Sequence, residues 1–403
     1  MKQSALIAGV GATKFGKHLN RNLEDLAHDA TRKALDDAGI APRCIQAVWA
    51  GSAAAPIVTG QVCIKGQVNL RGLGIGRIPI VNVENACATA ATAFQQAATM
   101  VTLGAHDVVL ALGVDKLYDP DKHLAAAVFN GSADIGHPED LASFILPEEP
   151  GEGRRPRSVF MDVYARMACD YMKASGATVA DFAAVVAKNS YHGSLNPNAQ
   201  FPATVTATEV LESAVIVGPL TLMMCSALAD GAAAAVLVSP RAAARLGVRA
   251  PVRVLSSELA SGFDPNPGQP TLLPVVASTA YEDAGVGPGD LSCVELHDGV
   301  AAAELSCSEE LGLCSAGEGI RLLRDGATRL GGRIPLNMSG GLVRRGHPIG
   351  ATGLAQIHEL TLQLRGSTGR RQVQGARVAL AENAGGFLRG ESAAIVITIL
   401  SRD

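Results

Sequence analysis

Aromatic side chains are scarce: Phe, Trp and Tyr make up 4% of 403 residues, with a single tryptophan. Ala, Val and Leu must therefore fill the core, and such small residues suit closely packed layers. Charge is also sparse, at 18% against 48% apolar residues, which excludes long disorder. The net charge is −4 and no block of Lys or Arg occurs, so a nucleic-acid partner is not expected. None of the eight cysteines forms a C-x-x-C pair. That argues against a disulfide framework and for a reduced, cytoplasmic compartment. The nine histidines show no metal-ligand spacing, so neither a metal nor a resident cofactor is expected. Met1–Ser4 leads into a strand without a signal-peptide core, and the last residues carry no targeting tripeptide. The uncharged run Asn85 to Ala105 is long enough to span a bilayer. It is rich in Ala and Thr and holds Gln95 and Gln96, so it reads as a buried helix and not as a membrane span.

What is present is an α/β grammar, stated twice. In the first half, Ala5–Val10 and Ala47–Gly51 read as short buried strands. Leu23–Ala38 carries apolar residues at helical spacing and stops at Gly39. Ile78–Val83 reads as a strand leading to a helix near Cys87. Asp107–Val114 is a continuous apolar strand, and Ala232–Ser239 closes the half. In the second half, Val252–Leu259, Cys293–Leu296, Ile334–Asn337, Arg377–Glu382 and Ala393–Leu400 read as strands. Helices are expected at Thr271–Ala284 and after Gly353. The halves align: DVVLALGV with RVALAENA, and the strand before Cys87 with the strand before His347. This predicts two α/β units with parallel strands, 1–250 and 251–403, stacked in five layers. Residues 116–216 break the pattern and read as an insertion covering the active face. It contains the Pro- and Glu-rich stretch 146–153 and a cluster of Arg154, Arg155, Arg157 and Arg166.

Ligands in such folds lie beyond the carboxyl ends of the strands, where Cys87, His297, His347 and Asn383 stand. Cys87 opens a helix, where unpaired amides favour a thiolate; the alternative is an inert buried cysteine. His347 lies in a glycine-dense loop, Ser339 to Gly353, and could take a proton from a cysteine, or be a plain loop histidine. His297 could donate a hydrogen bond to a developing oxyanion. Asp298 either orients it or caps the next helix. Gly385, after Asn383, offers a second oxyanion amide or a simple turn.

Four motifs carry a resemblance to the thiolase superfamily, and within it to the sterol-carrier-protein X type. They are Asn85-Ala86-Cys87-Ala88-Thr89, His297-Asp298-Gly299-Val300, the loop Ser339 to Gly353 around Gly346-His347-Pro348, and Asn383 with its glycines. The resemblance implies a duplicated five-layered αβαβα thiolase fold with an inserted loop domain. It implies a homodimer or dimer of dimers, and an acyl-CoA thioester as substrate. It implies that Cys87 forms an acyl-enzyme, that His347 activates it, and that His297 binds the thioester oxygen. The Cys87 and Gly385 amides would hold the oxygen of the acyl-enzyme. Relatives that make or break carbon–carbon bonds carry a second acid/base, commonly a cysteine, in most of them in the C-terminal motif and in the sterol-carrier type after the His-Asp pair; here that second position is Gly299, and no cysteine follows Cys314. The leading expectation is cleavage or formation of a 3-oxoacyl-CoA in lipid or sterol-type metabolism. The alternatives are an acyltransferase or retro-aldolase subunit working with a small OB-fold/zinc-ribbon partner, and a non-catalytic lipid-binding scaffold.

Overall fold

The computed structural model describes residues 2–145, 157–264 and 268–402. Its strands are β1 (Leu6–Ala12), β2 (Ala47–Gly51), β3 (Ile80–Val83), β4 (Val108–Asp115), β5 (Val215–Val217), β6 (Leu220–Thr221), β7 (Gly231–Val238), β8 (Val252–Ser261), β9 (Cys293–Glu295), β10 (Val378–Gly385) and β11 (Ala394–Ser401). The longer helices are α1 (Leu23–Ala38), α2 (Thr89–Thr102), α3 (Val159–Ser175), α4 (Val179–Ser194), α5 (Leu272–Ala284), α6 (Ala301–Glu310) and α7 (Thr352–Arg365).

Nine strands form one sheet in the order β3-β2-β4-β7-β1-β8-β11-β10-β9, and β5 pairs with β6 as a separate ribbon. The order is a duplication. Read from the join outward, β1-β7-β4-β2-β3 runs antiparallel, antiparallel, parallel, parallel. From the same join the other way, β8-β11-β10-β9 runs antiparallel, antiparallel, parallel. The halves meet where Leu6 and Ile7 pair with Arg253 and Val252.

Two expectations need correction. The strands are not all parallel. Each half is mixed: β4 and β7 are antiparallel in the first, and in the second the residues between β10 and β11 (386–393) form too short a link for the crossover that parallel neighbours need. Nor is Ile334–Asn337 a strand: it contributes only a parallel bridge from Leu336 to Val294. Pro335 has no N–H to give, and Asn337 takes a left-handed φ of 53°. The Asn337 side chain accepts from Leu296 N at 2.8 Å, carrying on the ladder by other means.

Three apolar clusters define the layers. One packs α1 against one face of β1, β2, β4 and β7. Another packs α5 against β9, β10 and β11. Between them, α2 and α7 touch strands of both halves, and their alanines, leucines and Phe94 form the largest cluster. The result is αβαβα. The insertion builds its own core from α3 and α4, including Phe182, Val185 and Val186, and sets it on α6. The stretch 146–156, with Arg154 and Arg155, lies outside the described residues. Arg157 is bonded to Asp162 and Arg166 to Asp170. No helix among the described residues is long and apolar enough to cross a membrane.

Candidate active site

The layering brings the amino ends of α2 and α7 together beneath the carboxyl ends of β9 and β10. Cys87 lies in the turn Ala86–Ala88 between β3 and α2. Ala86 there has a φ of 46°, a left-handed conformation costly for a residue with a side chain. Its surroundings enforce it: Ala86 N donates to Glu84 Oε1 at 2.5 Å and Asn85 N to Thr89 Oγ1 at 2.9 Å. On the other side is Gly385, whose missing Cβ would fall 2.2 Å from Asn85 O and 2.4 Å from Ala88 N.

Cys87 Sγ is 3.2 Å from His347 Nε2. On the far side of that ring, Nδ1 is 2.7 Å from Thr352 Oγ1, and this hydroxyl donates to Pro348 O at 3.0 Å. A threonine hydroxyl has one hydrogen, so Thr352 must accept from His347. The ring proton therefore sits on Nδ1, and Nε2 faces the thiol as an acceptor. His297 is set the opposite way. Asn383 Nδ2 donates to its Nδ1 at 2.9 Å, which leaves the proton on Nε2 and makes His297 a donor. The two rings are perpendicular, with centroids 5.2 Å apart.

A thiol and two imidazoles within 4.8 Å of one another could in principle hold a metal ion. Linear spacing hid this grouping. A metal needs an imidazole lone pair, and the Asn383 amide already occupies the one on His297. The donor set therefore fits proton transfer better than metal binding.

Burial governs the electrostatics. It pushes the Cys87 thiol up to about 12, aided by the negative charges of Asp115 and Glu84. Desolvation and two nearby carboxyls thus act against the thiolate expected at the helix end. Burial, His297 and Arg345 hold His347 well below the usual imidazole range, and burial with Arg345 brings His297 down to about 4. The resting pair is thus a neutral thiol beside a neutral base.

Asp115 ties the two halves together. Its carboxylate accepts from Ser52 Oγ at 2.6 Å, from the Ala53 and Ala54 amides, and from Gly350 N, three residues past His347, at 2.6 Å. Asp298 neither orients His297 nor caps α6. It accepts from Leu342 N at 2.7 Å and from Asn189, so it caps the short helix Gly341–Arg345 in the glycine-rich loop. Glu382 accepts from the His297 backbone N–H at 2.7 Å, and burial pushes its carboxyl up to about 7.

Cys87, His297, His347 and Gly385 line one cavity of about 500 Å³. Its walls are mostly apolar: Phe129, Phe160, Met161 and Met167 from the insertion, Leu273 and Ile395 from the second half. Asn383 stands behind His297. Sequence reading missed Thr352, Asp115, Tyr164 and Glu382 as members of the site. Asp115, at the carboxyl end of a continuous apolar strand, was open to discovery by the same argument that found Asn383.

Comparison with known proteins shows which family the chain resembles. The profile described as "Thiolase, N-terminal domain" matches residues 5–241, and that described as "Thiolase C-terminal domain-like" matches residues 266–398. The benzoylsuccinyl-CoA thiolase subunit BbsB of Thauera aromatica is 36% identical over 97% of both chains. Sterol carrier protein 2 of Homo sapiens is 35% identical over 98% of this chain and 71% of that protein. Among solved structures, the Ltp2-ChsH2(DUF35) aldolase superposes with a TM-score of 0.78 at 26% identity, covering 100% of this chain and 98% of that one.

Proposed function

The chain belongs to the thiolase family as a thiolase-like acyltransferase acting on acyl-CoA, and we propose that it cleaves or forms a 3-oxoacyl-CoA through an acyl group carried on Cys87. The observation that carries this reading is the 3.2 Å contact between Cys87 Sγ and the acceptor nitrogen of His347. In the cleaving direction, Sγ attacks the 3-oxo carbon as His347 Nε2 takes the thiol proton. The oxyanion is held by the amides of Cys87 and Gly385. As the carbon–carbon bond breaks, its electron pair moves toward the departing thioester, whose oxygen accepts from His297 Nε2. Coenzyme A then takes the acyl group from Cys87. A high thiol pKa suits this scheme, because the proton moves only when a substrate carbon is present to receive the sulfur.

The broad apolar cavity supports a bulky or branched acyl group of lipid or sterol type. A homodimer is supported by β3, which ends the sheet with Val81 exposed and follows a segment that exposes Ile57, Val62, Ile64 and Val68. Eight free cysteines support a reducing, cytoplasmic setting.

Acyl-CoA should add one acyl mass to the intact protein, and Cys87→Ala should abolish the adduct. His347→Ala should slow acylation by roughly 10²–10⁴-fold. A full adduct on Cys87→Ala sinks the covalent reading. A second reading, a subunit that needs a small OB-fold/zinc-ribbon partner for aldol or thiolytic cleavage, is favoured by the likeness to the Ltp2-ChsH2(DUF35) aldolase. It predicts cleavage of 3-oxoacyl-CoA only after such a partner is added.

A further inference from the structure

Breaking or making a carbon–carbon bond next to a thioester requires a group that gives a proton to the α-carbon or takes one from it. His347 is engaged with the Cys87 proton, and His297 with an oxygen. The residue after His297-Asp298 is Gly299, which has no side chain to offer. Its backbone is nonetheless fixed: Gly299 N donates to His297 O at 2.9 Å, and its carbonyl accepts from Ser226 N at 2.9 Å.

The space beside Gly299 is filled from elsewhere. A Cβ built on Gly299 would lie 2.6 Å from Tyr164 Oη and 2.9 Å from Tyr164 Cζ. The phenol of Tyr164, on α3 of the insertion, therefore stands where a side chain of residue 299 would project. Tyr164 lines the same cavity as Cys87, His297 and His347. Its ring packs against Phe160, with centroids 6.2 Å apart. Among the described residues, Oη has no hydrogen-bond partner, so its proton is uncommitted. Burial, then the negative charge that Cys87 can carry, holds the phenol well above its usual range. It enters the reaction protonated.

We propose that Tyr164 is the acid–base residue of the carbon–carbon step, acting from the place a side chain at position 299 would occupy. This rests on the thiolase reading above. In cleavage, the Sγ–C bond forms and the C2–C3 bond breaks, leaving its electron pair on C2. Tyr164 Oη gives its proton to C2, so the shortened acyl-CoA departs neutral. The resulting phenolate takes the thiol proton of incoming coenzyme A. The coenzyme A sulfur attacks the acyl carbon, the Cys87 sulfur leaves, and it recovers its proton from His347. Condensation runs the same steps backwards, with Tyr164 as base. Cys307 and Glu382 are rivals that line the same cavity, and Glu382 has its Oε2 held by the His297 amide.

The full chain tests this. Two rates separate the steps: acylation of Cys87 by acetyl-CoA, which involves no carbon–carbon bond, read by intact mass, and exchange of the α-hydrogens of acetyl-CoA for deuterium in D₂O, read on the coenzyme A ester. Tyr164→Phe should acylate within about threefold of wild type and lose exchange by roughly 10²–10⁴-fold. Retained acylation also shows that the variant is folded. Exchange that survives in Tyr164→Phe overturns the proposal. So does exchange lost in Glu382→Gln but not in Tyr164→Phe, or a wild type that acylates yet never exchanges. Failure of wild type to acylate at all would instead remove the thiolase reading on which the proposal stands.

Discussion

At the scale of single residues, the site depends on where two ring protons sit. Cys87, His347, His297 and Asn383 were legible in the sequence because each follows an apolar strand or opens a helix. Thr352 lies inside the same glycine-dense loop, yet its role was hidden, since only the fold shows that Pro348 O claims its hydrogen. Replacing Thr352 by Val keeps the volume and removes the acceptor. His347 would then bury an unpaired Nδ1–H, at a cost of about 1–3 kcal/mol, or change tautomer and point a proton at Cys87. Either route should slow Cys87 acylation by roughly ten- to a hundredfold, measured by time-resolved intact mass. An unchanged rate would mean that Thr352 does not fix the tautomer. Tyr164 was illegible for another reason. It meets Gly299 in space across more than a hundred residues of chain, and no local pattern marks such a meeting.

At the scale of elements, capping made some boundaries readable and backbone detail concealed others. α1 spans the predicted residues, because Asn22 and Asp25 form a reciprocal cap and Gly39 ends the helix at a φ of 68°. The strand expected at Ile334–Asn337 failed at Pro335 and Asn337, where apolar content suggested a ladder that the backbone could not complete. The end of β10 is a third case. Gly385 reads as either an oxyanion amide or a turn glycine, and the fold makes it a strand residue with main chain of the Cys87 turn pressed against it. Both clashing atoms, Asn85 O and Ala88 N, are backbone and cannot swing aside. Gly385→Ala should therefore cost about 1–3 kcal/mol by denaturant midpoint and also cut acylation. Gly76, with nothing within 4 Å of its absent Cβ, is the control, and Gly76→Ala should stay within about 0.5 kcal/mol. Equal behaviour of the two variants would show that the packing of β10 on the nucleophile turn is unimportant.

At the scale of the molecule, the duplication was legible because both halves repeat strand, helix, strand in the same order. Strand direction was not, because it follows from link lengths and insertions. The doubled fold buries a site between its halves, and this sets how stability responds to pH. Burial brings His192 down to about 3, and His297 and His358 to about 4. Each contributes stability that is present above pH about 6.5 and lost as pH falls through that value toward 4. Glu295 and Glu382 are displaced the other way, to about 7. Their contribution is present below about pH 4.5 and lost as pH rises through 7. Between about pH 4.5 and 6.5 the two sets oppose each other; below that range only the histidine contribution still changes, and above it only the carboxyl contribution, so stability should fall on either side. Glu382→Gln removes one of the opposing terms while keeping a side-chain oxygen for the His297 amide. Comparing denaturant midpoints at pH 5 and pH 8, the variant should gain on wild type on going to pH 8, by on the order of 1–3 kcal/mol. If both proteins change by the same amount, Glu382 is already ionised in the folded state at pH 5, and the dry, low-dielectric site inferred between the halves is wetter than its packing implies.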